Sequence, residues 1–439
     1  MKVQSNNVFS VIKANKKTLS FFVVLFFFIV NLHRKRTNTN YMKKEFAIYF
    51  ILFVVFMSGC SSDKHEDGLP CIDITKIYPE KELNLTDIAN VTYLCLNSDN
   101  EDYLYNSYGI SCVTKNTIVI SDPHSGKILF FSKDGNPKSH FNHIGEGPED
   151  YLWPTRVIYD EDKDEVFVYS FRSDVKVYTS TGEYKRKIVF PKEAIPNPIT
   201  SFDDESFFLY DSSVEFIPGR KRETSEDTDY PTQFYNHPFV RISKIDGKVL
   251  DYVELPVNDI DLVFYTDDGN RIKILTPRML NCEKGIHLCN PETDTVFLYD
   301  KSKNLTPVIC KTPKVNTLDP MIVLNNCVDH GGYQFFQIAI TLFTKETSPV
   351  YPIKYLMRDI KTGEVFHQKL ILPDYKGKDF IIGPSGNYEE GSYFELELIE
   401  LKQAYSENKL SGKLKELVAN LNEEKDNNIL MFVEFNKNR

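Results

Sequence analysis

Short runs of apolar or alternating residues, separated by polar turn residues, follow one another from about residue 90 to the end of the chain. Val, Ile, Tyr and Phe are frequent in these runs, and such residues favour β-strands. In the clearest unit, runs at 117–122, 127–131 and 138–141 surround a turn that ends at Gly135. The same arrangement returns around Gly182. The pattern is typical of an all-β protein.

Turns of this kind recur along the chain. They lie at residues 135, 182, 247, 304 and 363, so successive turns are 47, 65, 57 and 59 residues apart. Repeats of about 40 to 60 residues with several strands each are typical of a β-propeller, whose blades bury their faces only by stacking on one another. This spacing predicts six blades. A β-sandwich is the competing fold, but its turns come every 8 to 12 residues or so without a longer recurrence.

The C-terminal part of the chain has a different pattern. An apolar stripe at helical spacing predicts an amphipathic helix at 409–424 that packs on the ring. The apolar run 429–435 then predicts a strand that completes a blade with strands from another part of the chain, closing the ring and removing an exposed edge. The stripe consists of Leu410, Leu414, Leu417, Val418 and Leu421.

A bacterial lipoprotein signal precedes the predicted strands. It begins at Met42 with two lysines, continues as twelve apolar residues, and ends with a pair of small residues before Cys60. A membrane-spanning helix fits less well, because a hydrocarbon core needs about 20 apolar residues. We therefore expect a signal peptide that is cleaved before Cys60 and a lipid on that thiol.

A second apolar run, at 19–30, lies further upstream. Since one chain needs only one export signal, we interpret Met42 as the true start, with a hairpin anchor as the alternative. The predicted organisation is a leader at 1–59, a lipidated flexible tether at 60–71 and a propeller at 72–439. We expect a monomer that is attached to the membrane through Cys60.

The chain after the leader is acidic. It keeps 43 of the 52 basic and 61 of the 62 acidic residues, which gives a formal net charge of −18. Nucleic acid and anionic lipid both attract concentrated positive charge, so neither is expected as a partner.

Seven cysteines follow Cys60, and they lack the closely spaced pairs of a zinc or redox centre. Several lie in apolar strand contexts, such as Cys95 and Cys310, and we expect them to be buried as small hydrophobic residues. Cys282 and Cys289 are spaced so that they could bridge a hairpin.

The segment 143–151 resembles a known family. Glu149-Asp150 stands where the family's segment, Ile-Gly-x-Gly-Pro-Gly-Glu-Tyr-like, usually has Gly-Glu. The family is the six-bladed β-propeller lipoproteins of the Bacteroidetes, a TolB-like or NHL-like group, and the likeness covers about residues 72–436. It implies the fold rather than the function, because propellers host many activities. The matching residues are Ile144, Gly145, Gly147, Pro148 and Tyr151.

The resemblance also bears on location. In these lipoproteins, an acidic stretch directly after the lipidated cysteine, here 61–68, resembles a signal for export to the outer face. A plain linker has the same composition. The resemblance therefore implies an outer-membrane lipoprotein, either at the cell surface or on the periplasmic face.

Residues in and near this segment are the candidate functional residues. Gly145, Gly147 and Pro148 predict a tight connection between blades, because glycine permits an unusual backbone and proline stiffens it. Trp153, the only tryptophan, and Tyr151 could stack on a ligand such as a sugar ring, or could be buried between blades.

Asp122 and His124 could reach the central channel and are further candidate ligand-binding residues. The acidic doublets at 203–204 and 267–268 could bind calcium, although acidic doublets in turns are more often solvated caps. We therefore predict no metal and no cofactor.

Catalytic motifs of the G-x-S-x-G, H-E-x-x-H and Walker types do not occur in the sequence, and we predict no catalytic residue. The function predicted is that of a membrane-anchored binding or scaffold protein for a glycan, a peptide or a partner protein. The polar loop at 217–231 is one place for such a site, or a tolerated surface insertion. The alternative is a propeller hydrolase or lyase with a metal in the central channel.

Overall fold

The structure is a computed structural model of the chain. It describes residues 68–105, 109–170, 174–190, 196–212, 238–255, 263–265, 271–273, 278–289, 293–318, 322–340 and 353–436. The predicted leader, Cys60, the loop at 217–231 and the doublet at 267–268 lie outside these residues.

The N-terminal part of the described chain contains three strands and one helical turn. Cys71, which the sequence analysis places in the flexible tether, is the first residue of a strand and is buried, so the ordered chain begins earlier than predicted. The elements are β1 (Cys71–Asp73), β2 (Glu80–Asn84), α1 (Leu85–Ile88) and β3 (Ala89–Cys95).

Three blades follow, each a sheet of four consecutive strands that pair antiparallel. Blade 1 is β4 (Ile110–Val113), β5 (Thr117–Ser121), β6 (Lys127–Ser132) and β7 (Pro137–Asn142). Blade 2 is β8 (Pro154–Asp160), β9 (Glu165–Ser170), β10 (Asp174–Tyr178) and β11 (Tyr184–Val189). Blade 3 is β12 (Pro196–Ser201), β13 (Ser206–Asp211), β14 (Phe239–Ser243) and β15 (Val249–Val253).

A separate hairpin, β16 (Val263–Tyr265) and β17 (Arg271–Lys273), precedes two more blades of the same design. Blade 4 is β18 (Met279–Cys282), β19 (Gly285–Leu288), β20 (Thr295–Asp300) and β21 (Leu305–Thr312). Blade 5 is β22 (Ile322–His330), β23 (Tyr333–Ile340), β24 (Ile353–Asp359) and β25 (Val365–Leu372), with β26 (Tyr375–Phe380) paired to β25. The described residues thus show five blades that are continuous in sequence, not the six that the turn spacing predicts, because the last sheet is built from both ends of the chain.

The remaining four-stranded sheet combines both ends of the chain, and we call it the closing sheet. Its strand order is β27-β28-β29-β3, and the strand predicted at 429–435 is formed with those bounds. Two helices lie between β28 and β29 in sequence. The elements are β27 (Asn387–Tyr388), β28 (Gly391–Leu396), α2 (Leu398–Ser406), α3 (Gly412–Asn420) and β29 (Ile429–Phe435).

The five recurring turns predicted from the sequence are the hairpin turns between the third and fourth strands of the five blades. In four of them a glycine has a φ between +74° and +91°, which a residue with a Cβ rarely adopts. In blade 4 the corresponding residue is Lys303, with a φ of +69°. The repeat in the sequence is therefore the repeat of one hairpin, and the all-β propeller prediction is confirmed.

The C-terminal helical region differs from the prediction of a single helix at 409–424. The helix there is α3, which is shorter, and the preceding helix α2 was not predicted. Leu410 pairs with Tyr375 in an isolated bridge, and Leu421 has an extended backbone, so both ends of the predicted stripe lie outside the helix. The stripe nevertheless packs on one core with β29, because extended residues can bury side chains on the same cluster.

The N-terminal strands attach to the outer edges of three successive sheets. β1 pairs parallel with β21 of blade 4, β2 pairs parallel with β25 of blade 5, and β3 pairs antiparallel with β29. The segment before residue 96 therefore links blade 4, blade 5 and the closing sheet.

A disulfide joins Cys71 of β1 to Cys310 of β21, across 239 residues of sequence. Cys310 is buried, as predicted, but it is not an isolated thiol. Cys282 is a free thiol, so the alternative bridge between Cys282 and Cys289 does not form. Such crosslinks persist mainly in oxidising compartments, which agrees with export.

The core consists of clusters between neighbouring sheets. Phe167 of blade 2 meets Phe207 of blade 3 edge to face, with ring centroids 4.9 Å apart. Leu430 of β29 packs with Phe131 of blade 1 in another cluster. Each sheet thus buries its faces against its neighbours.

Leu430→Ala should lower the free energy of unfolding by about 2 to 5 kcal/mol, because Leu430 is fully buried in the closing strand. Glu434→Ala is the matched control, since its side chain is exposed on the same strand, and we expect a change within about 0.5 kcal/mol. Urea unfolding followed by circular dichroism measures both. Equal effects of the two substitutions would show that the strand does not contribute to the core.

Candidate functional site

Two loops meet at one end of blades 1 and 2. Residues 122–126 connect β5 to β6 within blade 1, and residues 143–153 connect β7 to β8 of the next blade. All the residues that the sequence analysis singles out as candidate ligand-binding or inter-blade residues lie on these two loops.

Tyr151 joins the two loops. Its ring is buried, and its hydroxyl donates to the Gly126 carbonyl at 2.6 Å while accepting from the His143 N–H at 3.0 Å. Burial raises the pKa of this phenol well above its usual value, so it stays protonated and can keep donating. Tyr151 therefore holds the site together and is not on its surface.

Asp150 shapes the glycine segment. Its carboxylate oxygen Oδ2 accepts from the Gly147 N–H at 2.9 Å. A Cβ on Gly147 would meet that oxygen at 2.7 Å, and one on Gly145 would come closer still. The two glycines thus leave room for the Asp150 carboxylate.

Blade 2 binds the tip of the same loop. The buried Lys176 ammonium donates to the Pro148 carbonyl at 2.6 Å, and the Tyr178 hydroxyl donates to the Glu149 carbonyl. Gly145, Gly147 and Pro148 thus lie in the loop that connects blade 1 to blade 2.

Asp122 is also buried. Its Oδ1 accepts from the His124 N–H at 2.9 Å and from the Ser125 N–H at 3.3 Å. A carboxylate in this position caps the turn that carries His124. Asp122 therefore positions His124 and does not face solvent.

His124 and Trp153 meet at the surface. Their rings are in an edge-to-face contact with centroids 5.6 Å apart. Trp153 is 47% exposed, and Leu152 and Ile144 on the same loop are 61% and 44% exposed. We call His124, Ile144, Leu152 and Trp153 the Trp153 surface.

The sequence pattern did not indicate that Ile144 and Leu152 belong to this surface. An apolar residue in a loop is usually turned inward, and only the three-dimensional arrangement shows that these two are not. The sequence does contain a weak indication. Ile144 and Leu152 lie on either side of a segment whose glycines and proline disfavour a strand.

Other predicted ligands have local roles. Asp203 accepts from the Glu205 N–H at 3.0 Å and from the Ser206 hydroxyl at 2.6 Å, as a turn cap does. Among the described residues, no group of three or more His, Cys, Asp or Glu side chains is arranged to hold a metal ion. In the same part of the chain, no helix is long and apolar enough to cross a membrane.

The chain is similar to a sequence family and to solved structures. A family model described as a domain of unknown function, DUF4934, matches residues 69–434. A solved structure of a candidate exported protein from Bacteroides fragilis is 16% identical, with 82% of this chain and 99% of that chain covered and a TM-score of 0.57. A member of the DUF4221 family from Bacteroides vulgatus is 13% identical, with 80% and 97% covered and a TM-score of 0.44. A search of curated protein sequences finds no match.

Gly145→Ala should destabilise the protein by about 1 to 3 kcal/mol, because the added methyl group overlaps the Asp150 carboxylate. In an Asp150→Ala background the same change should cost clearly less, which gives a coupling energy of about 0.5 to 3 kcal/mol in a double-mutant cycle.

Gly383→Ala is the control for this cycle, since a Cβ there meets only Tyr355 Cε1 at 3.9 Å. Chemical unfolding of the four cycle members and the control measures the energies. Strictly additive costs would mean that Asp150 does not set the glycine requirement.

Proposed function

This chain belongs to the DUF4934 family, and we propose that it is a binding module that presents the Trp153 surface to a partner protein. The observation that carries the proposal is the exposure of Ile144, Leu152 and Trp153 on one loop, which a buried hydrogen bond from Tyr151 ties to the loop that carries His124. Exposed apolar groups with a polar rim mark interaction sites, and a preorganised loop loses less entropy on binding.

The chemistry of the surface favours a protein or peptide over a glycan. A sugar ring needs a flat aromatic face, whereas two of the four side chains are branched aliphatic groups that suit an apolar anchor from a protein. Glu146 and Glu149 are exposed in the same loop. The expected partner therefore inserts an apolar side chain that is flanked by Lys or Arg.

We also propose that the closing sheet completes the ring between blade 5 and blade 1. The support is that, among the described residues, the closing sheet has four strands like each of the five continuous blades. Both of its neighbours pack against it, since β29 contributes to clusters with blade 1 and with blade 5.

We also propose that Cys60 carries a lipid anchor. The support is the signal that ends at this residue and the exported description of the Bacteroides fragilis structure with the same fold. In this arrangement the chain is an outer-membrane lipoprotein, and the ring works within reach of its tether.

Trp153→Ala should weaken binding of selected peptides by about 30-fold or more, as expected when a central anchor is removed. A phage-displayed peptide library is panned on protein that starts at Ser61, and the affinities of enriched peptides are measured by calorimetry. Ile245→Ala is the matched control, because Ile245 is 71% exposed on a turn of blade 3. The proposal fails if the enriched peptides bind Trp153→Ala as well as wild type, or if only a parallel glycan array gives Trp153-dependent binding.

Cys60→Ser should abolish incorporation of a fatty-acid label and release the protein from the membrane fraction, because the thiol is the proposed lipid attachment. Cys112→Ser serves as the control and should keep the label. Proteolysis of intact cells then distinguishes the cell surface from the periplasmic face. Label retained in Cys60→Ser would refute lipidation at this residue.

A further inference from the structure

A second site lies away from the Trp153 surface, at a cavity of about 170 Å³ among blades 3 and 4 and the closing sheet. Cys282, at the end of β18, is one of its lining residues. The cavity is smaller than the pockets of about 300 Å³ or more that hold drug-sized ligands, so it suits a small reagent. Its other lining residues include Ser201, Phe202, Lys301, Tyr388 and Glu389.

An imidazole and a carboxylate lie close to the Cys282 thiol. Cys282 Sγ lies 3.9 Å from His287 Nε2, and the same nitrogen lies 3.8 Å from Asp329 Oδ2. His287 is almost fully buried, on the strand next to Cys282, and Asp329 comes from the first strand of blade 5. Three groups from three strands thus come together at one imidazole nitrogen, which is placed to accept the thiol proton beside a carboxylate.

The thiols of Cys112 and Cys95 are in different surroundings. Burial raises the pKa of Cys112 to about 11, and burial also raises the pKa of Cys95. Cys71 and Cys310 are already joined. A nucleophilic cysteine needs an adjacent base and access to its reagent, and Cys282 has both.

We propose that Cys282 is a thiol–disulfide exchange site for a low-molecular-weight disulfide that enters this cavity. The thiol proton passes from Sγ to His287 Nε2, and Sγ attacks one sulfur of the disulfide. A new S–S bond forms to Cys282 while the bond of the reagent breaks. The leaving thiolate takes the proton back from His287, so one disulfide and one thiol give a mixed disulfide and one thiol.

Each part of the site has a role in this step. The Asp329 carboxylate lies close enough to stabilise the imidazolium that forms during attack. Lys301 and Glu389, whose charged groups lie 3.9 Å apart, form an ion pair on the cavity wall. Low-molecular-weight disulfides occur in oxidising compartments, which are also the compartments where a bond such as Cys71–Cys310 persists.

The test uses cystamine and the folded protein that starts at Ser61. Intact mass and peptide mapping follow the addition of one half of the reagent to each cysteine over time. We expect addition at Cys282 first, at least about 10-fold faster than at Cys112 or Cys95, and no addition there in Cys282→Ser. Cys112→Ser should leave the rate at Cys282 unchanged.

His287→Ala should slow the addition at Cys282 by about 10-fold or more, and added imidazole should restore part of the rate. If this variant does not fold, the wild-type rate at Cys282 in the native state is compared with the rate in urea, and the proposal requires the native rate to be higher. No addition at Cys282 in the native protein, an unchanged rate in folded His287→Ala, or a native rate at or below the unfolded one would each overturn the proposal.

Discussion

The antiparallel pairing of β3 with β29 is the interaction on which the other sheets depend. It runs over seven residue pairs, from Ala89 opposite Phe435 to Cys95 opposite Ile429, and so joins the two ends of the described chain. Phe435 also stacks on His330 of blade 5, with ring centroids 5.3 Å apart. Burial lowers the pKa of His330 to about 4, so the ring is neutral at pH 7 and packs as an aromatic group. Through β29, blade 1 and blade 5 both pack against the closing sheet.

Much of this architecture follows from local sequence. The hairpins of the blades were predictable because alternating side chains and a residue with positive φ at the turn are both visible in a few neighbouring positions. The strands before residue 90 were not predictable. β2 is the polar run Glu-Lys-Glu-Leu-Asn, and what holds it is pairing with β25, almost 300 residues later, with ion pairs such as Lys369 to Glu80 at 3.1 Å. The disulfide was missed for the same reason, since its partners are distant in sequence.

The candidate site divides in the same way. Sequence indicated where the two loops are, because Asp122, the glycines and Tyr151 are turn and connection residues. It could not assign each side chain to the interior or to the surface. The polar groups of Asp122 and Tyr151 form hydrogen bonds with main-chain groups, while the apolar side chains of Ile144 and Leu152 are exposed to solvent. A polar residue in a loop suggests a ligand contact, but here such residues support the surface that a ligand would meet.

The disulfide at the start of β1 has a mechanical consequence. Any pull that reaches the ring from the N-terminal side arrives at Cys71, and the covalent bond transfers it to β21 of blade 4 before it can act on β2 or β3. The pairing of β3 with β29 therefore bears no force. The 15 residues between Asp73 and Ala89 stay free of tension as long as the disulfide at Cys71 is intact. A force applied at the N-terminal side would therefore act on blade 4 and would not separate β3 from β29.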